Sequence, residues 1–280
     1  MSCYHPCAWV TLLTRPFYLP GVKTLQRSLL KSNSRWPLVV MVTNDVNEDT
    51  RQQLRDIECQ LYEITPIGPD PSLAHNYTFA HYSEVWNKLA VWTLTEFKRV
   101  VFLDADMLVI QNSDELFELT LPDNHIAACH ACRCNPHKID SYPSSWCPDY
   151  SFYSWCEDST MQATPPAALD NYLNSGMMVL EPDSEVYREM LFRLTAITDV
   201  SSYFFPEQDF LNDFYYNYNR WLPLHYGYNA LKTLSYQHPY LWDLQKIKNI
   251  HYILDKPWEK YPQVGDKSYQ LDKLWWQYNE

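Results

Sequence analysis

Two carboxylates stand one residue apart in Asp104-Ala105-Asp106, directly after the apolar run Val100-Val101-Phe102-Leu103. The run reads as a strand buried on both faces, and in open α/β sheets ligands gather at the carboxyl ends of strands. Alternate residues of a regular strand face opposite ways, so both carboxylates reach one ion only if the chain turns here. Their oxygens suit Mg²⁺ or Mn²⁺, and such an ion bridges a diphosphate and stabilises it as a leaving group. Alone the motif is weak. A capped or solvated turn explains it as simply, and a metal-dependent phosphohydrolase would use it too, with a third carboxylate on a following strand.

Positioning such a pair takes a sheet, and the chain alternates accordingly. Trp9-Val10-Thr11-Leu12-Leu13 reads as a strand, Val22 to Lys31 as a helix, and Leu38 to Val42 as a buried strand. Asn47 to Asp56 reads as a helix and Gln60 to Ile64 as a further strand. The spacing of Val85, Leu89 and Trp92 predicts a helix over Ser83 to Phe97, feeding the run before Asp104. Ser113-Asp114-Glu115 resembles a capped helix start. Asn174 to Leu180 predicts a strand, and Glu185 to Ile197 and Gln208 to Asn217 predict helices. This alternation argues for an α/β fold with a mostly parallel, Rossmann-like central sheet flanked by helices. From His125 to Ala168 the pattern breaks down, and an irregular Cys/Trp/Pro-rich insertion at about 129–168 reads as a covering loop with short helices. No repeat or linker divides residues 1–280, so one domain is expected.

Composition narrows the partners. The 280 residues are 46% hydrophobic and 20% charged, as expected of a folded chain. Net charge is −12, which disfavours nucleic acid and anionic membranes and leaves any anionic ligand dependent on a cation or a few basic residues. No apolar run reaches the roughly 18 residues of a membrane span, and the first residues lack a basic-then-apolar leader, so a cytoplasmic location is expected. A homodimer is compatible with these features. The 22 Tyr and 11 Trp suit a sugar-handling cleft, since flat rings stack on sugar C–H faces while their polar tips bond hydroxyls. Most of them are expected simply to fill the core.

Five of the eight cysteines fall within Cys129-His130-Ala131-Cys132-Arg133-Cys134, Cys147 and Cys156. Cys129 and Cys132 have the gap of a structural zinc half-site, but Cys147 and Cys156 lie too far apart for the other half. Free, reduced cysteines are the expected outcome.

Six blocks in order resemble glycosyltransferase family 8, the family of glycogenin, galactinol synthase and bacterial lipooligosaccharide galactosyltransferases. They are Trp9 to Thr14 with Tyr18; Glu84-Val85-Trp86-Asn87-Lys88-Leu89; Val101 to Val109 around the Asp pair; Tyr172-Leu173-Asn174-Ser175-Gly176-Met177-Met178-Val179; Phe205-Pro206-Glu207-Gln208-Asp209-Phe210-Leu211-Asn212; and His251-Tyr252-Ile253-Leu254-Asp255-Lys256-Pro257-Trp258. The resemblance covers nearly the whole chain. It implies a GT-A type fold and a retaining hexosyltransferase that moves glucose or galactose from a UDP-sugar to a sugar, polyol or other hydroxyl acceptor.

The resemblance also distributes roles. Asp104, Asp106 and His251 would hold the metal, and the imidazole favours Mn²⁺ over Mg²⁺. Thr11, Leu12, Thr14 and Tyr18 would seat the uracil. Lys88, Ala105, Asn174, Ser175 and Gly176 would line the donor, with Asn174 and Gly176 walling the transferred sugar. Lys256 would place a point charge on the diphosphate as charge develops there. Gln208 would lie near the anomeric carbon, with Glu207 or Asp209 bonding sugar hydroxyls. Each has a plainer reading, such as a surface lysine for Lys88 or a helix N-terminus with favourable acids for Glu207 and Asp209. Retention normally suggests a carboxylate nucleophile, whereas the matching position is Gln208, a poor one; transfer on the leaving-group face follows. Glu207-Gln208-Asp209-Phe210-Leu211-Asn212 resembles galactinol synthase, while Ser175 matches glycogenin. Self-glucosylation, as in a glycogenin-like primer, stays open, and so does the acceptor.

Overall fold

The computed structural model describes residues 6–73, 77, 80–161, 169, 171–216 and 219–280. Strand β1 (Cys7–Leu13) leads through a short 3₁₀ turn at Pro16–Tyr18 into α1 (Leu19–Lys31), β2 (Leu38–Val42), α2 (Glu48–Asp56) and β3 (Gln60–Glu63). A long 3₁₀ segment at Ala80–Thr93 precedes β4 (Arg99–Leu103), β5 (Met107–Val109) and β6 (Ile126–His130). Then come β7 (Leu173–Leu180), α3 (Ser184–Ala196), α4 (Pro206–Tyr216), β8 (Trp221–Leu224), β9 (Ala230–Leu231), α5 (Leu234–Gln237), β10 (Asn249–His251) and α6 (Tyr269–Asn279).

Seven strands form the main sheet in the order β3-β2-β1-β4-β7-β6-β8, and β5, β10 and β9 form a small second sheet. Within the main sheet β3, β2, β1 and β4 run parallel, and β7 runs antiparallel to both its neighbours. The sheet is therefore mostly parallel and flanked by helices, an α/β fold. Strand alternation divides the core in two. Val10, Val39, Val100 and Phe102 face the 3₁₀ segment, α3 and α4, packing with Trp86, Leu89, Met190 and Phe214. Trp9, Val40, Val101 and Leu103 face α1, packing with Val22, Leu25 and Leu29.

Several expectations change in detail. The helix predicted over Ser83 to Phe97 is a 3₁₀ segment ending at Thr93. Trp86, Leu89 and Trp92, all buried, recur every third residue, which suits three residues per turn. The helix predicted at Ser113 is one short 3₁₀ turn, Asp114–Glu118, and Ser113 makes no side-chain cap. The Asp114 carboxylate instead accepts from the Ser34 hydroxyl at 2.6 Å and the Arg35 amide at 2.9 Å. The irregular stretch from His125 opens on a fully buried strand, β6, before breaking into 3₁₀ turns at Pro148–Tyr150 and Phe152–Trp155. Its end, residues 162–168, and Asn217 at the end of a predicted helix lie outside the described residues. Among the described residues no helix is long and apolar enough to cross a membrane.

Candidate active site

At the end of β4 the chain turns, closed by the Met107 amide donating to the Asp104 carbonyl at 3.1 Å. This is the turn that an Asp-x-Asp metal pair requires. Two neighbours then complete the place. Reversed β7 pairs Met177 with Leu103, and the Asp104 amide donates to the Gly176 carbonyl at 2.8 Å, setting Asn174–Gly176 beside the first carboxylate. Antiparallel β10 pairs His251 with Met107, and the Tyr252 amide reaches the Asp106 carbonyl at 2.9 Å.

His251 Nε2 consequently lies 3.1 Å from Asp106 Oδ1 and 3.7 Å from Asp104 Oδ2. Its Nδ1 lies 2.8 Å from Asn229 Oδ1, while the Asn229 amide group donates to Asn174 Oδ1 at 2.7 Å. With the Asn229 nitrogen committed, its oxygen must accept, so His251 Nδ1 carries a proton and Nε2 faces the two carboxylates. An imidazole nitrogen facing two carboxylates needs a proton or a metal between them. One ligand atom from each of Asp104, Asp106 and His251 lies within 4.8 Å of the others, a two-oxygen, one-nitrogen set that fits a divalent cation.

Cations already crowd these carboxylates. Burial by itself would raise the Asp106 pKa, but Lys256 and His251 outweigh it and hold the carboxyl well below the usual range. Lys256 Nζ pairs with Asp106 Oδ2 and donates to the Tyr252 carbonyl at 3.2 Å. Lys88, buried, lies 3.0 Å from Asp104 Oδ1 and 2.8 Å from Glu207 Oε1, and contacts Ser175 Oγ at 3.2 Å. Burial would lower its pKa, yet the two carboxylates raise it above the ordinary lysine value. Lys88 is thus no snorkelling surface lysine; it ties β7 and the start of α4 to the Asp104 turn.

Gln208 is fixed from several sides. Its Oε1 accepts from Asn174 Nδ2 at 3.0 Å and the Ser175 amide at 3.1 Å, and its Nε2 donates to the Tyr172 hydroxyl at 3.2 Å. Tyr172 in turn donates to Asp209 Oδ1. A continuous hydrogen-bond chain therefore runs from His251 through Asn229, Asn174, Gln208 and Tyr172 to Asp209. Burial pushes Asp209 up to about 7, against the lowering effect of its bonds to Tyr172 and the Phe205 amide.

A cavity of about 920 Å³ opens over these groups, large enough for a substrate of several rings. Leu12, Thr14, Tyr18, Lys88, Asp104, Ala105, Asp106, Asn174, Ser175, Gly176, Glu207, Gln208, His251 and Lys256 all line it. Two sequence-picked residues do not. Thr11 is fully buried inside β1, between β2 and β4. Asp209 turns away to Tyr172 and the Phe205 amide, so it supports the wall rather than bonding a sugar. The sequence reading missed Asn229, which carries no period or motif. It also missed the wall formed by His137, Ile139, Tyr142, Trp146 and Phe205. There Trp146 stacks on Phe205 at 4.1 Å, the kind of flat surface that receives sugar C–H faces.

Comparison with known proteins bears on what this cleft serves. The model of Glycosyl transferase family 8 matches residues 10–261. The chain belongs to that family. It is 35% identical to "Galactinol synthase 4" of Arabidopsis thaliana, over 98% of this chain and 81% of that protein. It is 33% identical to "Galactinol synthase 1" of Solanum lycopersicum, over 98% and 82%. Among solved structures, galactosyltransferase LgtC in complex with donor and acceptor sugar analogs superposes with TM-score 0.60 at 15% identity, covering 97% of this chain and 95% of that one. GlyE of Streptococcus pneumoniae superposes with TM-score 0.61 at 20% identity, covering 97% of this chain and 60% of that longer one. These likenesses place the fold in the GT-A class, and the family makes the chain a glycosyltransferase.

At the site of this family 8 chain, Gly21 and Gly176 are required by close approach. A Cβ on Gly21 of α1 would fall 2.3 Å from the Ala105 carbonyl, so α1 seats directly on the Asp104–Asp106 turn. A Cβ on Gly176 would fall 2.4 Å from His251 Cε1 and 2.9 Å from Asn174 Oδ1. Gly176→Ala should therefore push His251 off the carboxylates. The expected result is metal affinity weakened about 10- to 100-fold, as when a ligand's supporting contacts are lost, read by isothermal titration with Mn²⁺. Unchanged affinity would show that His251 is not a ligand.

Proposed function

We propose that this glycosyltransferase moves a hexose from UDP-galactose or UDP-glucose to a hydroxyl acceptor with retention of anomeric configuration. Asp104, Asp106 and His251 would hold the metal, Mn²⁺ in preference to Mg²⁺ because of the imidazole. The observation that carries this reading is the convergence of those three side chains with Lys256 at one edge of a sugar-sized cavity. When bound, the ion supplies Lewis-acid charge to the diphosphate leaving group.

This chain's own residues do the rest. Leu12, Thr14 and Tyr18 line the end of the cavity next to α1 and receive the base. Lys256 exchanges its pairing with Asp106 for the diphosphate, adding positive charge where the leaving group develops it. Lys88 keeps Asp104 and Glu207 in place. Asn174, Ser175 and Gly176 form the polar wall beside the sugar, with Glu207 and Gln208 beyond them. The Gln208 carbonyl already accepts two hydrogen bonds and is a poor nucleophile, so the acceptor hydroxyl attacks on the face of the departing diphosphate. Trapping a covalent hexose on Glu207 or Gln208 by mass spectrometry would overturn that last step.

The names of the relatives favour UDP-galactose as donor and a cyclitol as acceptor. The test is UDP release with Mn²⁺ from each donor, against myo-inositol, mono- and disaccharides, and no acceptor. Release from UDP-galactose that rises several-fold with myo-inositol is expected. Hexose increments on the protein's own intact mass would favour a self-glucosylating primer instead. Failure to turn over either donor would remove the UDP-hexose reading.

A further inference from the structure

The cysteine-rich strap after β6 contains a second ligand cluster that the transfer reaction does not use. Cys132, Cys134 and His238 are all buried, and one ligand atom from each lies within 4.8 Å of the others. His238 follows α5, so the two sides of the cluster are about a hundred residues apart in sequence and meet only in the fold. His238 Nε2 lies 3.1 Å from Cys134 Sγ and 3.6 Å from Cys132 Sγ.

The tautomer of His238 follows from its other nitrogen. Nδ1 lies 3.0 Å from the Tyr240 hydroxyl, whose own proton goes to the Tyr153 carbonyl at 3.1 Å. Tyr240 can then only accept, so His238 Nδ1 carries the proton and Nε2 presents a bare lone pair to the two sulfurs. A histidine ligand held in this way, with its far N–H anchored, is the usual support for a metal. The spacing agrees. With Zn–S near 2.3 Å and Zn–N near 2.0 Å, a tetrahedral ion separates a sulfur from a nitrogen by about 3.6 Å. Cys132 already stands at that distance, and Cys134 needs to move by about half an ångström.

We propose that Cys132, Cys134 and His238 form a zinc site, separate from the Asp104–Asp106–His251 cluster, that clasps the strap after β6 to the end of α5. Two thiolates and an imidazole select Zn²⁺ over the hard ions that suit carboxylates, and three protein ligands leave the fourth position to water. The pairing differs from the Cys129–Cys132 spacing that the sequence suggests: Cys129 Sγ points to the His225 carbonyl at 3.2 Å. Cys132 also lines the substrate cavity, so the clasp would stiffen the wall that carries His137, Ile139 and Tyr142.

The test is metal analysis of the tag-free full chain after incubation with Zn²⁺ and desalting, followed by replacement with Co²⁺. About one tightly held zinc per chain is expected. The cobalt form should show thiolate-to-metal charge transfer in the near ultraviolet and intense tetrahedral bands in the visible. Cys134→Ser and His238→Ala should lose both signals, whereas Asp106→Asn should keep them, which separates this site from the catalytic one. If either ligand variant fails to fold, the cobalt spectrum of the parent chain still decides. Absence of zinc from the parent, a cobalt spectrum without thiolate bands, or full zinc retention in Cys134→Ser would each overturn the proposal.

Discussion

Asp106→Asn is expected to lower metal-dependent kcat/KM by about a thousandfold or more, roughly 4 kcal/mol of lost transition-state stabilisation. The reasoning starts from burial. Asp106 is buried against His251 at 3.1 Å and paired with Lys256, so its charge is the strongest local reason for a cation to enter. An amide keeps the shape but removes that charge, and an NH₂ turned to Lys256 would set a donor against a donor. The fold should survive. The Asp106 carbonyl, which accepts from the Tyr252 amide, is unchanged, and so is the β5–β10 pairing around it. The measurement is UDP release over a Mn²⁺ titration, with circular dichroism to verify folding. Activity within tenfold of the parent chain would remove Asp106 from the ligand set.

The Asp104 turn was legible because a buried strand leaves an unbroken apolar run, and Val100 to Leu103 is one. His251 was legible only through resemblance. What places it is the pairing of β10 with β5, a contact between distant segments whose three-residue strands carry no periodic signal. Asn229 had no signal at all, since its role depends on two partners, Asn174 and His251, brought together by that pairing. Strand β6 was missed for a different reason. Ile126-Ala127-Ala128-Cys129-His130 has weak strand propensity, and its position between β7 and β8 overrides it. The spacing of Val85, Leu89 and Trp92 suited an α-helix; at three residues per turn Trp86 replaces Val85 on the buried face, and Val85 lines the cavity instead. The described cysteines are free, as expected, and their spacing gave no sign of the Cys132–Cys134–His238 cluster for the same physical reason as His251: His238 comes from after α5, out of reach of any local motif.

Lys88→Met should be the most destabilising of the single changes, costing about 3–5 kcal/mol because it leaves a buried carboxylate without its counter-charge. Glu207 is 7% exposed, and apart from Lys88 its Oε1 accepts only the Ser175 hydroxyl at 2.8 Å among the bonds described. A loss of that size lowers the midpoint of thermal unfolding by roughly 10 °C in a chain of this class. Activity should fall as well, since Lys88 also holds Asp104 at 3.0 Å. Stability and chemistry can be separated with a second change. Lys88→Met combined with Glu207→Gln removes both charges, and replacing a buried pair together is often close to neutral. The double variant should therefore regain much of the lost midpoint while turnover stays low, because Asp104 still lacks its lysine. Differential scanning calorimetry and UDP release on all three variants complete the cycle. If the double variant melts no higher than Lys88→Met, the cost lies in other contacts of the side chain, such as the ammonium over the Phe102 ring at 5.2 Å, rather than in the unpaired Glu207 carboxylate. Lys88 would then be a core residue that happens to end beside the site, and Asp104 would owe its position to the β4–β7 pairing alone.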